Sequence, residues 1–231
     1  MYPITMNIDE HKVLDEIILV DKPIGWTSFD VVAKIRSKLS KQHGKKVKVG
    51  HAGTLDPLAT GLLIVLAGKA TKQQDQFMKL DKVYEVAITL GQTSSTDDEE
   101  GEKVKVSTKQ PSNEDVLEAL EAFQGKIQQI PPAFSAIKVD GKRSYKLARA
   151  GKEVKIEPRQ VTIYSIKDIV YDYPKLRFTT KVSSGTYIRS LARDIGQKLG
   201  TGAYVSGLRR TSIGEYSLNS SRSVEEILDK T

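Results

Sequence analysis

One aspartate carries the clearest chemical signal in the chain. The segment Val49-Gly50-His51-Ala52-Gly53-Thr54-Leu55-Asp56-Pro57-Leu58-Ala59-Thr60-Gly61 frames Asp56 with glycines and sets it directly before a proline. A carboxylate fixed in that way can serve as a positioned nucleophile. The same spacing suits a residue that only opens a turn, because aspartate before proline is a common turn starter. Spacing alone leaves both readings open.

Other chemistries find less support. Gly61 to Lys69 ends in Gly-Lys, but its glycines stand too far apart for a Walker loop and no Ser or Thr follows the lysine. His11, His43 and His51 are the only histidines, no two of them stand at i, i+4, and no carboxylates have calcium-loop or zinc-ligand spacing, so no metal is expected. A Gly-x-Ser-x-Gly nucleophile elbow is missing, which weakens hydrolase readings. The absence of cysteine removes disulfides, thiolate zinc sites, iron-sulfur clusters and cysteine nucleophiles, and it fits a reducing compartment.

Elements able to hold Asp56 follow from periodicity. The first fifteen or so residues read as a loose arm that leads into the apolar run Ile17 to Val20. Thr27 or Ser28 can cap a helix whose apolar face uses Phe29, Val32, Ile35 and Leu39. Leu62 to Ala67 is a short buried strand that would deliver the Asp56 loop. Strands are expected at 83–90, 161–169, 176–182 and 204–209, and helices at 114–123 and 187–199. Gly91 to Gly101, with Asp97, Asp98, Glu99 and Glu100, reads as an exposed acidic loop. Pro131 and Pro132 close the unit before a basic insertion. From Lys138 to Arg159 eight basic residues face only Asp140, Glu153 and Glu157, an excess of five positive charges. No repeat or hinge divides the chain, so a single mixed α/β domain is expected.

At 231 residues, with 39% hydrophobic and 28% charged, the chain can bury a sizeable core. Its 36 basic and 29 acidic residues leave a net charge of +7, which points toward a polyanion, nucleic acid before membrane. The longest apolar run, Leu62 to Ala67, is far short of the ~20 residues that span a bilayer. A cytoplasmic protein without membrane partners is expected.

The loop Gly50-His51-Ala52-Gly53-Thr54-Leu55-Asp56-Pro57-Leu58-Ala59-Thr60-Gly61-Leu62-Leu63 closely resembles the catalytic loop of the TruB family of tRNA pseudouridine synthases. Further blocks follow in the family's order. Lys22-Pro23-x-Gly25-x-Thr27-Ser28 looks like its N-terminal motif, Tyr84 sits in its tyrosine-bearing strand, and Ser184-Gly185-Thr186-Tyr187-Ile188-Arg189-Ser190-Leu191 is similar to its arginine motif. Leu208-Arg209-Arg210 matches the next block, so the similarity runs from about Ile17 to Ser217. It implies an α+β pseudouridine synthase core, a mostly antiparallel mixed sheet flanked by helices, with a thumb at about 132–160. Family members usually continue into a C-terminal RNA-binding PUA domain, for which 231 residues leave no room, so a single catalytic domain over 1–231 is expected.

The resemblance implies an isomerase that converts uridine 55 in the T-loop of tRNA to pseudouridine, and it assigns the catalytic carboxylate to Asp56. Arg189 would keep Asp56 ionised and orient it bidentately. Tyr84 would stack on the uracil and help with the C5 proton, and Tyr187 and Leu208 would complete the base pocket. His51 would enter the space left by the flipped nucleotide. The thumb would close on the T arm, with affinity falling at a log-log slope of about −0.7 per contacted phosphate on single strands. The isomerisation has no net redox change, so no cofactor is needed, and a monomer is expected. Two other readings remain: a tRNA-folding chaperone that only inserts this loop, and an H/ACA-type guided synthase.

Overall fold

Stretches alternating with period two make this protein's strands, and those with a 3.6-residue period make its helices. The computed structural model describes residues 15–135, 137–139, 141–152 and 154–229. The N-terminal arm with His11, and the thumb acids Asp140 and Glu153, lie outside the described residues. In chain order the first elements are β1 (Ile17–Lys22), α1 (Ser28–Gln42), β2 (Val49–His51), β3 (Thr60–Ala67), α2 (Gln74–Met78) and β4 (Lys82–Leu90). Next come β5 (Gln92–Ser94), β6 (Lys103–Lys105), α3 (Asn113–Glu121) and β7 (Gly125–Gln129). The basic insertion forms β8 (Lys138–Val139), β9 (Lys142–Arg143) and α4 (Ser144–Arg149). The chain then runs through β10 (Arg159–Asp172), β11 (Lys175–Val182), α5 (Ile188–Leu199), β12 (Ala203–Ile213), β13 (Tyr216–Ser217), β14 (Arg222–Ser223) and α6 (Val224–Asp229).

The main sheet has the order β14-β1-β3-β12-β4-β11-β10-β7, with β2 beside β3 and β13 beside β12. Its pairings are antiparallel except for β1 with β14 and β12 with β3. This is the mixed, mostly antiparallel sheet that the family resemblance implies. β3 is buried on both faces, which explains its unbroken apolar run. Leu63 and Val65 pack under α1 and α6, while Leu62, Ile64 and Leu66 meet Phe77 and Ile213. A third core joins α3 and α5 to β4, β10, β11 and β12. No helix among the described residues is long and apolar enough to cross a membrane.

Two local readings change. α1 starts where expected, with Thr27 and Asp30 forming a reciprocal capping box. Its buried side chains, however, are Ser28, Val31, Val32 and Ile35, and Phe29 is 63% exposed beneath the Arg36 guanidinium. Val31 lies two residues, about 200° of helix turn, from Phe29, so the two cannot share a face. The second change is β7, a strand just before the prolines whose five residues include a single large apolar side chain and carried no strand signal.

Candidate active site

The Asp56 loop joins β2 to β3, and the N-terminal motif fastens it from below. Lys22, fully buried at the end of β1, donates from Nζ to the carbonyls of Pro23 (2.8 Å), Trp26 (2.6 Å) and Pro57 (3.4 Å). Gly25 takes φ +81°, a region that favours glycine, and its N–H reaches the Pro57 carbonyl at 2.8 Å. Ser28 clamps Leu55: its Oγ accepts from the Leu55 N–H at 2.8 Å and donates to the Leu55 carbonyl at 3.1 Å. Both neighbours of Asp56 are thus held by residues of one short motif. The carboxylate itself remains 35% exposed.

Arg189, near the start of α5, meets Asp56 with its Nε 3.0 Å from Oδ2. Its other nitrogens point elsewhere. Nη1 donates to Asp98 Oδ2 and to the Thr96 carbonyl, each at 3.2 Å, and Nη2 donates to the Phe134 carbonyl at 2.9 Å. The expected bidentate fork on Asp56 is therefore replaced by one contact, because three further acceptors compete for the same guanidinium. Burial pushes the Asp56 carboxyl above its usual range. Arg189 is the strongest opposing influence, Asp98 raises the value further, and Lys22 and Arg210 lower it. Arg189 favours the ionised form without outweighing desolvation.

Gly91 to Gly101 is not a solvated acidic loop throughout. Asp98 is 2% exposed and ion-paired to Arg189, and Asp97, at φ +61°, pairs with Arg193 at 3.0 Å. Two arginines on one face of α5 need acceptors, and this turn supplies them. Glu99 and Glu100 do stay exposed. Partial desolvation nonetheless raises the Glu100 carboxyl, and Asp98 and Asp56 add to the effect.

The remaining expected residues lie on β2, β4, β12 and at the start of α5. Tyr84 on β4 is buried in the same core as Leu55 and Ala59, two residues of the Asp56 loop, and Leu208 packs against that core from β12. Tyr187 caps the start of α5, where the buried Gln129 side chain binds both its N–H (2.8 Å) and its carbonyl (3.1 Å). The Arg159 guanidinium lies 5.0 Å over the Tyr187 ring. His51 ends β2, and burial lowers its pKa, with Arg210 acting the same way and the Gly53 backbone opposing, which favours the neutral ring.

A cavity of about 730 Å³ in the basic insertion is lined by Pro131, Leu147, Lys152, Lys155, Glu157 and Arg159 among others. A second, of about 490 Å³, is lined in part by Leu58, Val86, Phe178 and Leu208. Among the described residues no three His, Asp or Glu side chains gather as a metal site would require. Asp98 and Gln129 escaped the sequence reading. Neither stands in a motif that signals burial, and only the positions of Arg189 and Tyr187 in space give them work.

A half-exposed carboxylate, a buried arginine beside it and an apolar wall with tyrosines can hold a flat base against an ionised acid. The sheet and helices superpose on a solved Cbf5-Nop10-Gar1 complex with a TM-score of 0.69 at 28% identity, covering 94% of this chain and 54% of that one. The fold is that of the pseudouridine synthases. Residues 38–188 match the profile of the TruB family pseudouridylate synthase N-terminal domain, and residues 189–231 match that of the tRNA pseudouridylate synthase B C-terminal domain. The chain is 49% identical to tRNA pseudouridine synthase B of Parabacteroides distasonis, covering 94% of this chain and 93% of the relative. It is 47% identical to that of Phocaeicola vulgatus, over 91% and 90%. The chain belongs to the TruB family and is an isomerase that forms pseudouridine in tRNA.

Proposed function

We propose that the enzyme converts uridine 55 in the T-loop of tRNA to pseudouridine, with Asp56 as the catalytic carboxylate. The observation that carries this reading is the pairing of a half-exposed Asp56 with a buried Arg189 at 3.0 Å, in a loop anchored on both sides of the carboxylate. In the reaction the N1–C1′ bond breaks, the base turns, and a C5–C1′ bond forms. C5 then loses a proton and N1 gains one, so atoms and charge balance with no redox partner. Asp56 acts as an anion, either by adding covalently or by stabilising the detached base. Desolvation opposes that anion, and the three cations Arg189, Lys22 and Arg210 favour it.

The target base must leave its stack, at a cost of a few kcal/mol. Stacking against an aromatic face returns about 1 to 3 kcal/mol. Tyr84 supplies that face and a hydroxyl for the C5 proton, Tyr187 and Leu208 close the pocket, and neutral His51 fills the vacated space. Residues 132–160 serve as a thumb against the T arm, where the basic side chains neutralise phosphates. Arg159 stacks on Tyr187 at the end of this segment. We assign the enzyme to the cytoplasm, acting as a monomer.

The test is a pseudouridine assay on unmodified tRNA transcripts with the product position mapped. The purified chain alone should modify position 55, and Asp56→Asn should abolish product while most RNA binding remains, because phosphate contacts are untouched. Full turnover by Asp56→Asn, or product at another position, would contradict the assignment. Binding and refolding without pseudouridine would instead indicate a chaperone, and a need for a guide RNA an H/ACA-type synthase.

A further inference from the structure

We infer that Arg210 is a positioning residue for Asp56, its guanidinium tying the entry of the catalytic loop to its exit. This rests on the catalytic reading of Asp56. Arg210 is 1% exposed on β12. Its Nε donates to the Leu62 carbonyl at 2.8 Å, Nη2 to the Gly53 carbonyl at 3.2 Å, and Nη1 to the Thr54 carbonyl at 3.4 Å. Gly53 and Thr54 precede Asp56 and Leu62 follows it, so one side chain spans the segment that presents the carboxylate.

The backbone independently fixes the same point. Arg210 pairs with Gly61 in the parallel register of β12 and β3, and Gly61 takes φ +101°. A Cβ there would stand 2.3 Å from the Arg210 carbonyl oxygen. Only glycine permits so close an approach, so the start of β3 and Arg210 are held together.

Arg210 is also an unusual choice for a simple staple. A buried guanidinium is normally matched by a carboxylate, since an isolated buried charge is costly. Among the described residues none forms an ion pair with Arg210. Its charge is instead felt at longer range by Asp56, which faces Lys22 from β1, Arg189 from α5, Asp98 and Glu100 from the β5–β6 turn, and Arg210 from β12. The cation thus favours the anion that the reaction uses, while its hydrogen bonds set where that anion sits.

Two substitutions separate these roles, measured by kcat, KM and tRNA affinity across pH and by thermal melting. Arg210→Lys keeps the charge but cannot span both sides of the loop. It should lower kcat about ten- to hundredfold, the scale of a small misplacement of a reacting group, with KM and tRNA affinity little changed and the acid limb of the pH profile unmoved. Arg210→Met removes the charge as well. One cation fewer faces Asp56, so the carboxyl ionises later and the acid limb should move to higher pH.

A folded Arg210→Lys with parental kcat, or an acid limb that stays put in Arg210→Met, would overturn the inference. So would parallel loss of kcat and tRNA affinity, or melting of Arg210→Lys below the assay temperature, since either makes Arg210 a residue of the fold alone. Asp56→Asn runs beside them. If it turns over, the catalytic reading fails regardless of what Arg210 does.

Discussion

Arg189 directs its nitrogens to acceptors from three parts of the chain, and Asp98 is the buried one among them. Removing that partner by Asp98→Ala leaves a buried guanidinium short of an acceptor, a loss of order 3 kcal/mol. Urea denaturation should register this, and turnover should fall with it because Asp56 loses its fixed neighbour. Asp56→Asn should do the opposite to stability. Burial holds the folded carboxyl above its unfolded value of 3.8, so the ionised form is penalised in the fold. The residue's contribution is greatest below the unfolded value and is lost as pH rises through the folded one. The amide variant should therefore be more stable than the parent at pH 7, with the gain shrinking as pH falls toward 3.8, and paired urea melts at the two ends measure it. At this scale the sequence made Asp56 and Arg189 readable because they sit in long motifs. Asp98 was not, because four consecutive acids look solvated until the arginines that face them are known.

α5 sets the position of Arg189 through how closely it lies on β12. Gly196 is the point of contact: a Cβ there would stand 2.3 Å from the Ala203 nitrogen and 2.4 Å from the Gly202 carbonyl carbon. Gly196→Ala must push the helix off the strand, which costs about 1–3 kcal/mol as overpacking does. A lowered melting temperature and a turnover loss exceeding the unfolded fraction at assay temperature are expected, since Arg189 rides on the same helix. Element boundaries were legible wherever period and length agreed, as in β3, β4 and α5. They were not in β7, whose polar residues are ordered by pairing with β10 rather than by their own pattern. Phe29 marks the same limit, since helical spacing admits several faces and only packing against β3 chooses one.

Two buried lysines tie the stability of the whole enzyme to pH. Burial lowers both Lys22 and Lys82 to about 8, against an ordinary value of 10.5. Their charged forms are penalised in the fold, so the unfolded chain binds more protons between those values and stability should rise as pH climbs from about 8 toward 10.5. Each proton of difference contributes about 1.4 kcal/mol per pH unit. Urea melts across that interval should show the rise, and Lys82→Met should flatten it by the share of one proton. A parent curve that is level or falling from pH 8 would contradict this. Charge balance alone revealed an excess of cations but not that two of the lysines are enclosed.

The sheet's order has a temporal consequence. β12 lies between β3 and β4, yet both of those strands precede it by more than a hundred residues. A nascent chain leaving the ribosome must hold a vacant slot between the two halves of its own sheet until Ala203–Ile213 emerges. The same late strand carries Leu208 and Arg210, so the middle of the sheet closes around them only after both flanking strands exist, leaving β13, β14 and α6 still to come.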